Sequence, residues 1–286
     1  QPTISTNGTL SFTAANNVAD DCAVTVALDD NGGTTLGGLN RSPVQVFIVM
    51  ATPVNDPPSF KISPSHTVRE DAGPQVISNF ATNIVAGPAN EDWQEATFII
   101  VTNSNTGIFR SNGRPAISPA GTLTYTPAPD ANGSATVKVR LEDDGDTANG
   151  GTNTSAPQTF TITILPVNDR PGFLLSTNLV TVREDAPLQR LTNFVVNISK
   201  GPANEASQTL IFTATPADSN LFAVLPAITS TGLLSFRPRT NVSGTSLVTV
   251  GLTDNGGTAL SGTNRADAQT FTIVVTPQND APVMAG

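Results

Sequence analysis

The chain has 286 residues, with 23 acidic against 14 basic side chains and a formal net charge of −9. That balance excludes the basic footprint that nucleic acid requires and the polybasic patch that holds a protein on an anionic membrane. No run reaches the ~18 uninterrupted apolar residues of a membrane helix: the greasiest, VQVFIVM at 44–50, has the length of a strand, so this segment is not expected to insert directly into a membrane.

In chain order, the first readable elements are GTLSFT at 8–13, VTVALDDNGG at 24–33 and QVFIVMATPVND at 45–56. No basic-then-apolar leader precedes them, as expected if a signal was removed or if the sequence is an interior piece of a longer protein. Cys22 is the single cysteine, so neither an intramolecular disulfide nor a thiolate zinc site can form. Its counterparts further along are Ala135 and Ser246, which predicts a small residue packed beside a core strand.

TVREDA at 67–72 and GPANE at 87–91 come next, followed by GTLTYTP at 121–127, VKVRLEDDGD at 137–146 and QTFTITILPVND at 158–169. The same phrases then return: TVREDA at 181–186, GPANE at 201–205, GLLSFRP at 232–238, VTVGLTDNGG at 248–257 and QTFTIVVTPQND at 269–280. Asn168 stands 113 residues after Asn55, and Asn279 stands 111 after Asn168. A period of ~110 residues is far too long for a solenoid and matches one small β domain.

Within each copy the pattern is β. In ATVKVRL at 135–141, Val137, Val139 and Leu141 share one face while Thr136, Lys138 and Arg140 share the other, a period of two. Gly, Asn, Asp and Pro collect between such runs, as turn chemistry requires. The expectation is all-β: tandem Greek-key β-sandwiches of about seven strands each. Residues 58–170 form one complete repeat, 171–286 a second with a trailing linker, and 1–57 the later half of another. Half a sandwich leaves inner faces and strand edges open, so 1–57 is expected either to be truncated or to be completed by a neighbouring subunit, as in strand complementation.

The Asn-Asp-x-Pro phrase falls between repeats, in VNDPPSF at 54–60 and VNDRPGF at 167–173. If sandwiches stack end to end, Glu70, Asn168 and Asp169 approach Asn204, Glu205 and Asp254 of the next repeat. Four carboxylates then meet, and calcium, which takes six to eight hard oxygen ligands, suits them. Turn chemistry explains the same residues, because Asn and Asp bond nearby backbone and proline ends a strand.

These motifs resemble cadherin-like and bacterial immunoglobulin-like repeats of large surface proteins, and the resemblance covers nearly the whole chain. PVNDPPSF and PVNDRPGF are similar to the cadherin linker, Glu70 and Glu184 to its first-strand acid, and Asn90-Glu91 and Asn204-Glu205 to its acidic loop. Asp30, Asp143 and Asp254 match the Asp before the final hairpin. The resemblance implies calcium between consecutive repeats, which extends the ligand candidates to Asn55, Asp56, Asn90, Glu91 and Asp143. Pro53 and Pro166 replace the first Asp of that linker, and the acidic pair between the fifth and sixth strands survives only as Asp130, against Asn17 and Asn241. One ion per junction, or none, is what those departures imply. The family also implies an extracellular, cell-surface, non-enzymatic role as an adhesive or structural spacer, its partners being neighbouring repeats or copies and a cell-surface ligand.

Two alternatives stand beside this reading. One is a filament whose subunits complement the half repeat at 1–57; the other is a glycan-binding accessory module of a secreted enzyme, contacting sugar through Trp93. Solitary Trp93 also suits packing against the linker. His66, the only histidine, leaves no triad or histidine metal site and fits a surface or partly buried strand position. Glu70-Asp71 and Glu91-Asp92 have the composition of glycosidase pairs, but Glu70 and Glu91 recur in each full copy, which argues for architecture.

Overall fold

The structure, a computed structural model, describes residues 1–281. It contains no α-helix among them, only strands and single 3₁₀ turns. The chain forms two compact units, one of 1–66, 74–126 and 134–162 and the other of 67–73, 127–133 and 163 onward.

The first unit opens with β1 (Thr3–Ile4), β2 (Leu10–Ser11), β3 (Cys22–Val26) and β4 (Gln45–Val49), paired β1–β2 and β3–β4 as two small sheets. No residue before Asn55 is buried. Val46 and Ile48 of β4 are 64% and 62% exposed, because these sheets have no second layer packed on them. Cys22 is exposed here, whereas its counterparts Ala135 and Ser246 are fully covered. The expected core position is therefore realised in the later copies and not at Cys22.

Next come β5 (Ser59–Ile62), β6 (Ser65–Arg69), β7 (Gln75–Ile77), β8 (Ala81–Val85) and β9 (Ala96–Asn103). β10 (Ala116–Ile117), β11 (Leu123–Tyr125), β12 (Gly133–Asp143) and β13 (Gln158–Leu165) follow. They make a four-stranded sheet in the order β6-β13-β12-β9, a three-stranded sheet β10-β11-β7 and the pair β5–β8. The inward row of β12 is Ala135, Val137, Val139, Leu141 and Asp143, all buried, as the alternation predicts. Lys138 points out and is exposed.

The second unit holds β14 (Gly172–Leu175), β15 (Leu179–Arg183), β16 (Gln189–Leu191), β17 (Val195–Ser199) and β18 (Leu210–Pro216). β19 (Phe222–Ile228), β20 (Leu234–Pro238), β21 (Gly244–Asp254) and β22 (Gln269–Thr276) complete it. Its sheets are β15-β22-β21-β18, β16-β20-β19 and β14–β17. These nine strands exceed the expected seven partly because the first strand breaks at Ser176–Asn178. There Thr177 Oγ1 accepts from the Leu179 amide at 3.2 Å, a local bond that competes with the ladder. β14 then pairs antiparallel with β17, and β15 runs parallel to β22. Phe194 and Phe271 meet edge-to-face at 4.6 Å in the core between the layers, the arrangement their quadrupoles favour.

One pair in the first unit departs from this apolar scheme. Tyr125 is 3% exposed, and its hydroxyl lies 2.7 Å from His66 Nδ1. Burial pushes the phenol up to about 12, so the hydroxyl keeps its proton. The corresponding positions in the second unit are Val180 and Phe236, both core residues. The hydrogen-bonded pair thus replaces an apolar one. His66→Val alone leaves a buried hydroxyl without a partner, at an expected cost of ~1–3 kcal/mol. His66→Val with Tyr125→Phe removes the orphan and should restore most of the urea midpoint; no recovery in the double variant would refute the pairing.

Candidate metal centre

The site begins with strand periodicity. Asp254 is the last inward position of β21 and is 8% exposed, so the alternation that buries Val248, Val250 and Leu252 also buries this carboxylate. Asn168 supplies its partner. Its Nδ2 donates to Asp254 Oδ1 at 3.1 Å and to the Thr263 carbonyl at 2.9 Å, while its Oδ1 accepts from Gln208 Nε2 at 2.6 Å. The Thr263 amide donates to the Asn168 carbonyl at 2.9 Å. A Cβ on Gly256 would fall 1.6 Å from Asn168 Oδ1, so glycine is required where the amide seats.

The first unit repeats this lock. Asn55 donates to Asp143 Oδ1 at 3.1 Å and to the Thr152 carbonyl at 2.9 Å, and it accepts from Gln94 at 2.7 Å. Asn55, Asn168, Asp143 and Asp254 therefore hold the linker in place, with the side-chain amide of each Asn fully used.

The Asp that follows each Asn is placed differently. The Asp169 amide donates to Glu205 Oε1 at 2.8 Å, which ties the phrase to the 3₁₀ turn Ala203–Glu205. Within the same unit, Glu70 is 4% exposed and has both oxygens engaged. Its Oε1 accepts from the Val167 amide at 2.6 Å and its Oε2 from Asn132 Nδ2 at 3.2 Å. Next to it, Asp71 and Asp130 both adopt left-handed backbone, φ 58° and 52°, a conformation that Asp tolerates. Asp71 Oδ1 accepts from the Asp130 amide at 3.1 Å.

These turns bring Asp71, Asp130 and Asp169 together, with one carboxylate oxygen from each lying within 4.8 Å of the others. Asp169 Oδ2 and Glu205 Oε2 are buried with no hydrogen-bond partner among the described residues. The Asp169 carboxyl is pushed up to about 6, first by desolvation and then by Glu205, Asp71, Asp130 and Glu70. Each of these causes opposes its negative charge, as an acidic site without a cation would.

Of the other predicted ligands, Asn204 and Asn90 are exposed, and the Asn90 carbonyl accepts from the indole of Trp93 at 3.2 Å. Trp93 is 69% exposed. Asp56 gives its amide to Glu91, which is 5% exposed. Asp71 was legible in the sequence only as half of an acidic pair; its role depends on a left-handed turn that strand periodicity does not report.

The raised Asp169 carboxyl has a signed consequence. A folded carboxylate above its ordinary value of 3.8 binds its proton more tightly folded than unfolded. It therefore favours folding at low pH and loses that contribution as pH rises to about 6. In chelator, wild type and Asp169→Asn should melt alike near pH 4, and wild type should fall below the variant by pH 7. A constant difference across that range would refute the shift.

No family model matches the chain, and no curated protein matches it. Among solved structures, it is similar to mouse protocadherin-24 EC1-3 at 15% identity, covering 96% of this chain and 86% of that one, with a TM-score of 0.47. Mouse cadherin-23 EC22-24 is similar at 18% identity, over 90% of this chain and 74% of that one, TM-score 0.42. Protocadherin gamma B2 extracellular cadherin domains 1-5 is similar at 17% identity, over 98% and 51%, TM-score 0.46.

Proposed function

We propose that this chain is a stretch of tandem β-sandwich repeats from a secreted or cell-surface protein, acting as a non-enzymatic structural or adhesive spacer. The repeats run 58–170 and 171–286, with 1–57 as the later half of another. Calcium is held at the Asn168-Asp169 phrase, and the partners are neighbouring repeats or copies of the same chain. The motif resemblance supports the extracellular, adhesive setting. The observation that carries the calcium reading is the pair of buried, unpartnered oxygens on Asp169 and Glu205 beside a three-carboxylate cluster.

These residues fit the ion. Asp71, Asp130, Asp169 and Glu205 would hold it, with backbone carbonyls and water completing a hard-oxygen shell. When bound, it supplies positive charge to carboxylates that otherwise repel. The lock residues Asn168 and Asp254 position the phrase, and Glu70 clamps the Val167 amide and Asn132. An ion that binds only the folded state at a hundred times its dissociation constant adds ~2.7 kcal/mol of stability.

The test is a thermal melt of the chain in calcium and in excess chelator. A melting temperature several degrees higher in calcium supports the reading. Identical melts, with no calcium uptake by calorimetry, would leave the phrase as a hydrogen-bonded turn.

A further inference from the structure

β8 leads into the GPANE phrase at 87–91, and β17 leads into the same phrase at 201–205. Beside the first of them lies an open groove of about 800 Å³, lined by residues 84–89, Asp92 and 94–97, all within the first unit. In the second copy Lys200 corresponds to Ala86, Ala206 to Asp92, Thr209 to Glu95 and Asn255 to Asp144.

The second copy seats an ammonium of its own at this place. Lys200 is half-buried, and its Nζ donates to the Ala206 carbonyl at 2.8 Å. Its stem therefore spans two positions whose counterparts, Ala86 and Asp92, both line the groove of the first copy. Ala86 ends at its Cβ and supplies no such ammonium.

The charges differ in the complementary sense. Asp92, Glu95 and Asp144 are exposed, and none forms a salt bridge among the described residues. The Glu95 amide donates to Asp144 Oδ1 at 3.0 Å, and the Thr209 amide donates to Asn255 Oδ1 at 2.8 Å. The same backbone contact thus forms with an asparagine, and folding does not require the Asp144 charge. Nor does the exposure depend on what precedes the groove. Ala206, Thr209 and Ile211 of the second copy are exposed as well, although residues 58–170 come before them.

We propose that the groove at 84–97 is a docking site for a lysine side chain on a basic peptide segment of a partner protein, its ammonium seated at Asp92 as that of Lys200 is seated at Ala206. The Asp92 carbonyl accepts the ammonium. The carboxylates of Asp92, Glu95 and Asp144 attract the flanking positive charge, which guides encounter and selects against acidic partners. A second copy of this chain does not fit the groove, because its net charge of −9 repels an acidic face. None of these residues is a proposed calcium ligand, so the site is independent of that reading.

Titration of the chain with a hexalysine peptide, by calorimetry in excess chelator at ~0.15 M salt, tests it; at that ionic strength exposed charges more than ~8 Å apart are largely screened. The variants borrow residues from the second copy: Ala86→Lys, which supplies an internal ammonium, and Asp92→Ala with Glu95→Thr. Lys200→Ala is the control, and thermal melts in the same buffer check each fold. The expected result is one equivalent of peptide, weakened roughly tenfold or more by Ala86→Lys and by the double variant and unchanged by Lys200→Ala. No binding would overturn the assignment. Several weak equivalents, or one that neither set of substitutions alters, would also overturn it, as attraction to the acidic chain at large. Self-association in sedimentation that Ala86→Lys abolishes would overturn it in favour of a second copy. Because chelator is present throughout, each of these outcomes leaves the calcium reading to its own test.

Discussion

Asn168→Ala is expected to cost ~1.5–3 kcal/mol, the range for a hydrogen bond to a charged group. The side-chain amide makes three hydrogen bonds at once, to Asp254, Thr263 and Gln208. Truncation leaves Asp254 with the Gly256 amide, 2.8 Å away, as the remaining donor to its Oδ1, and strands the Gln208 amide. Asn168→Asp discriminates further. It keeps the shape but replaces the donor by a second carboxylate facing Asp254, so it should be at least as damaging at pH 7. Urea midpoints of both variants measure this; a loss under ~1 kcal/mol would show that Asn168 is an ordinary turn residue. Because Asn168 also presents the Asp169 amide to Glu205, the alanine variant should lower calcium affinity without removing any proposed ligand.

Gly232→Ala is the second large effect, expected at ~3 kcal/mol or more. Gly232 has φ +83°, and a Cβ there would sit 2.2 Å from the Val195 carbonyl oxygen, in the contact where the Val195 amide donates to the Gly232 carbonyl at 3.1 Å. The left-handed conformation alone costs a non-glycine residue ~1–2 kcal/mol; collision with a backbone atom adds to it, because backbone cannot swing aside. Gly257→Ala separates the two terms, since Gly257 has φ +87° with nothing within 4 Å. It should cost only the conformational part. Equal melting temperatures for the two variants would refute the steric argument. The same contact occurs at Gly121 against Ala81, so the requirement belongs to the repeat and not to one loop.

Much of the architecture was legible in the residues. The alternation in 135–141 predicted the buried row of β12 and the exposed Lys138, and the return of whole phrases at ~110 residues predicted repeated β units. Even the burial of Asp143 and Asp254 follows from strand period, since each occupies the last inward position of its strand. Cys22 shows the limit: its counterparts are covered, but local pattern does not say whether a second layer is packed on its own strand.

What the sequence by itself determined, then, is what short-range periodicity and turn chemistry control: β strands, their inward faces, and the repeated Asn-Asp phrase. The tertiary structure alone decided which acids converge. Asp71, Asp130 and Asp169 are 59 and 39 residues apart along the chain and meet through two left-handed turns and a linker pinned by Asn168. It also separated the phrase into an Asn whose side chain is hydrogen-bonded in the lock and an Asp whose carboxylate is not. The physical reason is competition for hydrogen bonds: each side-chain oxygen goes to whichever donor the folded backbone brings within reach. At Glu91 both oxygens find the same amide, whereas at Glu205 one is left buried and free.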